Sequence, residues 1–461
     1  MGRKRKEQEE LRLVTPDELT KPIGQIAEEC YTYFGSYVNN FRAIANIADG
    51  LKISYRRLIW ASLQFPKGQD IPTMNLISSL SKWHPHGTQG CEGLNAALVN
   101  SGVFSGHGFF GMTQIDGVVN PHSATRYTRN RLSDLYWDII GDNIKYVNMV
   151  ESPQGGMEPT YIPLPLPLCL YLKGGVVSGL GVGVMSEYPN FSPKSMFEAY
   201  KKNDPSLLEP NIDILIDKKN SELERLWKTG KGRVIYSYKI SKSMSTDGKS
   251  EGILFEGDTA IFTPKLKGFK KLIEAGKVYV EDMTDEKGPK LFVGRVPGAK
   301  GITTSDIESI ARKCCYDATT YQLNVTNSET TFRIPLYDWI DYTYKNYIQL
   351  VSEVNQKKIE KCKFDILVLE ALPYVSDYIL NKNPKATDQE ICKALELPQE
   401  VVEVVMNKPI SYLRKNKDTA ERVKSLKDKL KELKKFDPIK YTEEIINKLW
   451  HTLNIVKSVK K

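Results

Sequence analysis

Residues 120–134 read NPHSATRYTRNRLSD, and they set a single tyrosine, Tyr127, directly behind Arg126 and just ahead of Arg129 and Arg131. Three guanidiniums are an odd neighbourhood for a tyrosine that only packs. They suit a phenol that meets a phosphate, because arginine presents planar, paired N–H donors that match phosphate oxygens. The chain has 24 tyrosines, and most tyrosines pack, so this short motif needs support from the sequence around it.

Composition narrows the class. A chain of 461 residues is too long for one core, so several domains are expected. With 41% hydrophobic residues and a mean hydropathy of -0.38, it has the make-up of a soluble globular protein. Its apolar run YIPLPLPLCLYL (161–172) is broken by proline and too short to span a bilayer. The start, MGRKRKEQEE, has no apolar stretch of the kind a secretory signal needs, and residues 1–22 read as a solvated basic arm. Seven cysteines are scattered without a CxxC pair, which points to reduced thiols rather than a zinc ribbon. A net charge of +9 favours nucleic acid as a partner.

Three textures follow one another. Up to about residue 150 the chain reads as helices and loops. IGQIAEECYTYFGSYVNNF (23–41) places Ile26, Cys30, Phe34 and Val38 at helical spacing, SYRRLIWASLQF (54–65) and GCEGLNAALVNSG (90–102) are two more helices, and SGHGFFG (105–111) is loop. From 151 to 335, GRVIYSYKI, GILFEGD, KVYVEDM, KLFVGRV and TYQLNV are β-rich runs between Gly, Asp and Lys turns. From 336 onward the chain is helical and charged. Ile340, Tyr344, Tyr347, Val351 and Val354 step by 4, 3, 4, 3, and Val423, Leu426, Leu430 and Leu433 step by 3, 4, 3. Two such seams flanking an insert at 366–412 predict an antiparallel coiled-coil arm with a globular tip, or else ordinary bundle helices.

The chemistry gathers in the first texture. His84, His86, His107 and His122 lie in the region of Tyr127, with His84 and His86 two apart in KWHPHGTQG (82–90). A metal site would need further ligands, and Cys91 and Glu92 do not complete a common zinc pattern. The other reading makes the imidazoles hydrogen-bond partners of a phosphate or of the attacking phenol. Upstream, FRAIANIADGLKISYRR (41–57) packs in Arg42, Lys52, Arg56 and Arg57. By itself that run is a solvated basic face. A helix opening there would add its N-terminal amides to a site for an anion.

RAIANIADGLKISYRR, then KWHPHG, then GHGFFG, then SATRYTRNRLS follow the order and spacing of the type IIA DNA topoisomerase A (breakage-reunion) subunit. The chain resembles the A subunits of bacterial gyrase and topoisomerase IV and the medium subunit of phage topoisomerases. The likeness continues through EPTYIPLPLPLCLYLKGGVVSGLGVGVMS (158–186) and, more weakly, to the coiled-coil region. It implies an α+β multidomain protein: a winged-helix DNA-cleavage domain (23–150), a β-rich tower (151–335), and an antiparallel coiled-coil arm with a dimerising C-gate (336–461). It puts Tyr127 on the catalytic tyrosine and Arg126 on the arginine that stabilises the transition state. Lys52, His84 and His86 fall on DNA-contacting positions, Arg42, Arg56 and Arg57 on basic residues lining the cleavage site, and Arg129 is read as a further DNA contact. Leu180, in SGLGVG, falls on the apolar residue inserted between base pairs, where a wedge unstacks and kinks the duplex.

The resemblance also implies double-stranded DNA as substrate and a homodimer closed through the winged-helix domain and the C-gate. It implies a B-type subunit with ATPase and Toprim domains in an A2B2 assembly, which binds ATP and holds most of the Mg²⁺, so no metal ligands are assigned to this chain. The compartment would be the cytoplasm of a bacterium or a phage-infected host, at the nucleoid, with no membrane contact. The alternative is a non-enzymatic architectural DNA-binding protein, which a covalent DNA adduct would exclude. Departures from the family pattern are Ala45 and Ile53, where it has prolines, Ala48, where it has arginine, and Arg129, where it has an acid.

Supercoiling by gyrase depends on wrapping DNA around an added β-pinwheel. Here ERVKSLKDKLKELKKF leads past Pro438 into a segment where Tyr441, Ile445, Leu449 and Ile455 are helix-spaced. A short helix cannot turn a stiff duplex. Reconstituted with a B-type partner, the chain is expected to relax or decatenate DNA. Relaxed plasmid incubated with it and ATP should yield no negatively supercoiled product on a gel.

Overall fold

The computed structural model of the chain describes residues 21–84, 90–113, 119–172, 178–211, 214–256, 268–283, 290–314, 316–407 and 416–458. Helix Ile23–Val38 forms as its spacing predicts, but Ile26, Cys30 and Phe34 are exposed. Only Gly35 is buried, where a Cβ would press on Val182.

The first core forms around helix Ile53–Ser62, which buries Tyr55, Leu58, Ile59 and Ala61. Gly50, just before it, has φ +68, and a Cβ there would lie 2.7 Å from the Leu168 nitrogen. Glycine alone tolerates both the left-handed backbone and so close an approach. A small antiparallel sheet packs into the same core. Its central strand is Arg129–Leu132, flanked by Ile71–Pro72 and Phe104–His107. Strand side chains alternate between faces, so Asn130 and Leu132 are buried while Arg129 and Arg131 lie on the outer face. Pro72 cannot donate to a ladder and sits on an edge strand.

The change of texture near residue 150 is not a packing boundary. Ile162, Leu164, Leu166 and Leu168 are buried in the core that holds Leu58, Phe104 and Ile140. Alternating prolines keep this run out of helix until the single turn Leu168–Leu170. Downstream, GRVIYSYKI does not form one strand. It breaks at the buried Tyr238 into Lys231–Ser237, which pairs with Tyr316–Gln322, and Lys239–Met244, the first strand of a separate four-stranded sheet. That sheet continues through Glu251–Glu256 and Lys290–Arg295 to Val278–Asp282.

Helix Leu336–Asp377 runs for 42 residues, and its two halves do different things. The seam expected to be coiled coil, Ile340 to Val354, is buried, but it seats the helix on the globular body. The Trp339 indole donates to the Ile47 carbonyl at 2.9 Å, the Tyr347 hydroxyl donates to the Ile139 carbonyl at 3.3 Å, and the Tyr344 and Phe197 rings lie 5.2 Å apart. Helix pairing begins beyond it. The Asn355 amide donates to the Leu433 carbonyl at 3.0 Å, and the Cys362 thiol to the Leu426 carbonyl at 3.3 Å. The two contacts advance on one helix and retreat on the other, so helix Asn416–Lys434 runs antiparallel. Val423, Leu426, Leu430 and Leu433 are its half-buried stripe, and the residues between them are exposed. Helix Pro438–Ser458 then returns to the body, burying Ile445, Ile446 and Leu449.

At the far end Val368, Leu372, Val375, Ile391, Val401, Val402 and Val405 form a core of their own, and a Thr387–Glu390 capping box starts one of its helices. Because this core is separate, damage to it should stay local. Leu372→Ala leaves a cavity worth about 2–5 kcal/mol. Amide exchange should accelerate across 388–406 and remain unchanged in the Arg129–Leu132 strand.

Candidate active site

Tyr127 ends a single tight turn, Thr125–Tyr127, in which its N–H donates to the Ala124 carbonyl at 2.9 Å. The next residue anchors it. The Thr128 hydroxyl donates to the Thr73 hydroxyl at 2.8 Å, and the Thr73 N–H donates to the Thr128 carbonyl at 3.0 Å. Gly108 stands beside Thr128 at φ +112, where a Cβ would lie 2.9 Å from the threonine methyl. This gives the glycine loop of GHGFFG a packing reason. With its base fixed, the Tyr127 side chain is 70% exposed, unlike the buried Tyr136, Tyr171 and Tyr188. The Arg126 guanidinium lies over its ring, 4.7 Å from the centroid.

The other two arginines of the motif are held elsewhere. The Arg129 guanidinium donates to the Asp70 carbonyl at 2.9 Å, and Arg131 donates to the Asp70 carboxylate at 3.0 Å. His107 Nε2 lies 3.3 Å from the second oxygen of the same carboxylate. The departure at Arg129, a base where the family pattern has an acid, is thus met by the Asp70 backbone. His122 bonds through Nδ1 to the Ser123 carbonyl at 3.1 Å.

Arg56 and Arg57 correct the expectation drawn from sequence. They were read as lining the cleavage site, but their side chains are only 6% and 7% exposed and are engaged inside the fold. Arg56 makes a paired contact with Asp49, at 2.8 and 3.2 Å, and Arg57 makes one with Glu158, at 2.7 and 2.8 Å. Buried charges must be paired in this way. Arg57 then reaches His84 Nδ1 at 3.4 Å, so His84 is tied to the scaffold. His86 lies outside the described residues. Asp49, Glu158 and Asp70 were not picked out from the sequence. Two adjacent arginines followed directly by the apolar Leu58 and Ile59 were the available signal for the first two, and Asp70 had none.

A second group forms at the start of the same helix. Lys52 precedes Ile53, and its ammonium donates to the Ser178 carbonyl at 2.7 Å; burial lowers its pKa from the ordinary lysine value. Ser178 leads into the hairpin of Gly179–Leu180 and Met185–Ser186, on which Leu180 stands 80% exposed. The hairpin tip is clamped by Asn39, whose side chain accepts from the Val182 N–H at 2.7 Å and donates to the Val182 carbonyl at 3.0 Å. Arg42, exposed, is three residues along the same turn, Asn39–Ala43. The structure therefore gathers Arg42, Lys52 and Leu180 around one hairpin, and Arg126, Tyr127 and Arg129 around one strand. Among the described residues no hydrogen bond joins Tyr127 to Lys52, His84 or Leu180.

A family model described as the A subunit of DNA gyrase/topoisomerase IV matches residues 42–453. The chain belongs to the DNA gyrase/topoisomerase IV A-subunit family. It is similar to the DNA gyrase A subunit of Brachyspira hyodysenteriae, 20% identical over 474 residues that cover 94% of this chain and 54% of that protein. It is 27% identical to the DNA topoisomerase 4 A subunit of Borreliella burgdorferi over 47% of this chain and 34% of that one. Against the DNA topoisomerase 4 A subunit of Synechocystis it is 30% identical over 36% and 20%. The chain thus spans at most about half the length of these relatives. Where the family pattern has proline, Ala45 uses the N–H that proline lacks, donating it to the Tyr188 hydroxyl at 3.2 Å.

The carboxylates bound into the site do not fit a divalent cation. Asp49, Glu158 and Asp70 are all engaged with guanidiniums, and among the described residues no three His, Cys, Asp or Glu groups converge. The buried pair also makes a prediction. Arg57→Ala should destabilise the protein by about 3–5 kcal/mol, since it leaves Glu158 buried and unpaired. Adding Glu158→Gln should recover much of that loss, and paired thermal melts would show it.

Proposed function

We propose that this chain is the DNA-breakage-and-reunion subunit of an ATP-dependent type II topoisomerase, with Tyr127 as its nucleophile. The observation that carries the proposal is an exposed phenol beneath an arginine, at the start of a strand whose inward side chains are fixed, within a chain of the gyrase/topoisomerase IV A-subunit family. A phenol has a pKa of about 10 and attacks poorly at neutral pH unless its anion is stabilised. Arg126, lying over the ring, can neutralise charge on the phosphoryl oxygens.

The Tyr127 oxygen attacks the phosphorus in line as its proton leaves. A P–O3′ bond breaks, the 3′ oxygen departs as a hydroxyl, and the DNA remains attached as a 5′-phosphotyrosyl diester. Because one phosphodiester replaces another, the 3′ hydroxyl reseals the strand by the reverse step. In-line phosphoryl transfer asks mainly for positioning and charge stabilisation. Arg42 and Lys52 are suited to hold DNA phosphates, and Leu180 to kink the duplex. Two copies would cut the two strands, and a second duplex would pass through the gap.

A B-type subunit with ATPase and Toprim domains would complete an A2B2 enzyme, binding ATP and supplying Mg²⁺ to polarise the phosphate. The reaction would be relaxation or decatenation, in the cytoplasm of a bacterium or phage-infected host. Tyr127→Phe should bind DNA as well as the parent but form no covalent complex, and Arg126→Ala should cleave far more slowly with its tyrosine intact. Denaturing gels of 5′-labelled DNA incubated with the variants and a B-type partner test this. Protein attached to 5′ ends by the phenylalanine variant would refute the assignment.

A further inference from the structure

Residues 69–73, QDIPT, run alongside the segment that carries Tyr127 and grip it from Thr128 to Arg131. Thr73 holds Thr128 through both backbone and hydroxyl. Pro72 and Ile71 pair with Arg129 and Asn130. Asp70 then takes three basic side chains at once. Its carbonyl accepts from Arg129, one carboxylate oxygen from Arg131, and the other faces His107 Nε2. His107 is itself paired across the sheet with Arg129. One partly exposed residue therefore gathers the basic groups that Arg129, Arg131 and His107 place on the outer face of this sheet. The arginine left over the phenol is Arg126.

We infer that Asp70 is a positioning residue for the Tyr127 reaction: it holds Arg129, Arg131 and His107 along the strand, so that Arg126 alone attends the phenol. The inference rests on the reading of Tyr127 as nucleophile. Three guanidiniums free beside one phenol would compete for the same phosphate oxygens, and a phosphate captured by Arg131 would sit out of line with the attacking oxygen. A small displacement is enough to cost a large factor in rate. Asp70 removes that competition and, through Arg131, braces the strand from which the tyrosine turn projects. Its expected mark is on the rate of cleavage, not on the hold on DNA.

Asp70→Asn keeps the size of the side chain and an acceptor for Arg131 but removes the charge. In single-turnover cleavage at saturating DNA, with the B-type partner present, this variant should be slower by on the order of tenfold to a hundredfold. Its DNA dissociation constant should be equal or lower, because cations are freed. Adding Arg131→Gln removes the released competitor and should restore most of the rate, an outcome that a merely structural role for Asp70 would not produce. Thermal melting of each variant within a few degrees of the parent establishes that the proteins are folded. Parental cleavage by Asp70→Asn, or a double variant as slow as the single one, overturns the inference. Tyr127→Phe in the same assay separates the two levels. If it forms adduct, the reading of the nucleophile fails; if it is inert while Asp70→Asn cleaves normally, only the role of Asp70 fails.

Discussion

The carboxylate of Asp49 is fully buried, and the first half of the protein is organised around satisfying it. It accepts from the Leu51 N–H and the Ile162 N–H, each at 2.9 Å, and from Arg56 at 2.8 and 3.2 Å. Leaving a buried carboxylate unpaired would cost several kcal/mol, so these four donors specify one arrangement. They bind the turn before helix Ile53–Ser62 to a segment more than a hundred residues downstream. Gly50 lets the two backbones meet, and the Leu168 N–H donates to the Asp49 carbonyl at 2.9 Å. The neighbouring Arg57–Glu158 pair repeats the tie one residue along the helix. Lys52, which opens that helix and reaches Ser178, is placed by the same constraint.

An exposed side chain on a short turn takes its position from the residues that flank it. The Tyr127 ring meets Arg126 and otherwise stands in solvent, so its position is inherited from Thr128, Asn130 and Leu132, all buried. Asn130 is bonded to Asn95 from the neighbouring helix, and Thr128 to Thr73. Side-chain alternation on the strand separates two tasks: the inward residues fix the chain, while Arg129 and Arg131 on the outer face meet Asp70. The Leu180 hairpin follows the same plan, with Asn39 holding Val182 and leaving the leucine in solvent.

The long helix joins body and arm without a break. In its first half, aromatic residues are buried and their polar atoms reach backbone carbonyls of the body, as Trp339 and Tyr347 do. Burial pushes the Tyr344 hydroxyl up to about 12 and Tyr347 well above the ordinary tyrosine value, so both stay neutral and usable as donors. Beyond Asn355 the same helix meets its antiparallel partner, and the surface between them narrows to a single stripe. The distal core is small and lies apart from the main one.

Much of this was legible in the sequence. Tyr127 with its arginines, the helices, the two seams and the separate tip follow from residue type and period, because each is a local property. The seam at Ile340 to Val354 was read as either coiled coil or bundle helix; it is buried, but on the globular body, since periodicity reports that a face is covered but not by what. Arg56 and Arg57 show the same limit for charge: a basic run looks alike whether it meets solvent, a phosphate or a buried carboxylate. Asp49 and Glu158, which decide the matter, come from separate segments, and Glu158 lies 101 positions from its arginine. The role of Asp70 was not legible at all, because it arises only when strand pairing sets residues 70, 107 and 131 side by side. Chemical type and local period are written along the chain; which charges neutralise one another is a matter of distance in space, and only the folded structure supplies it.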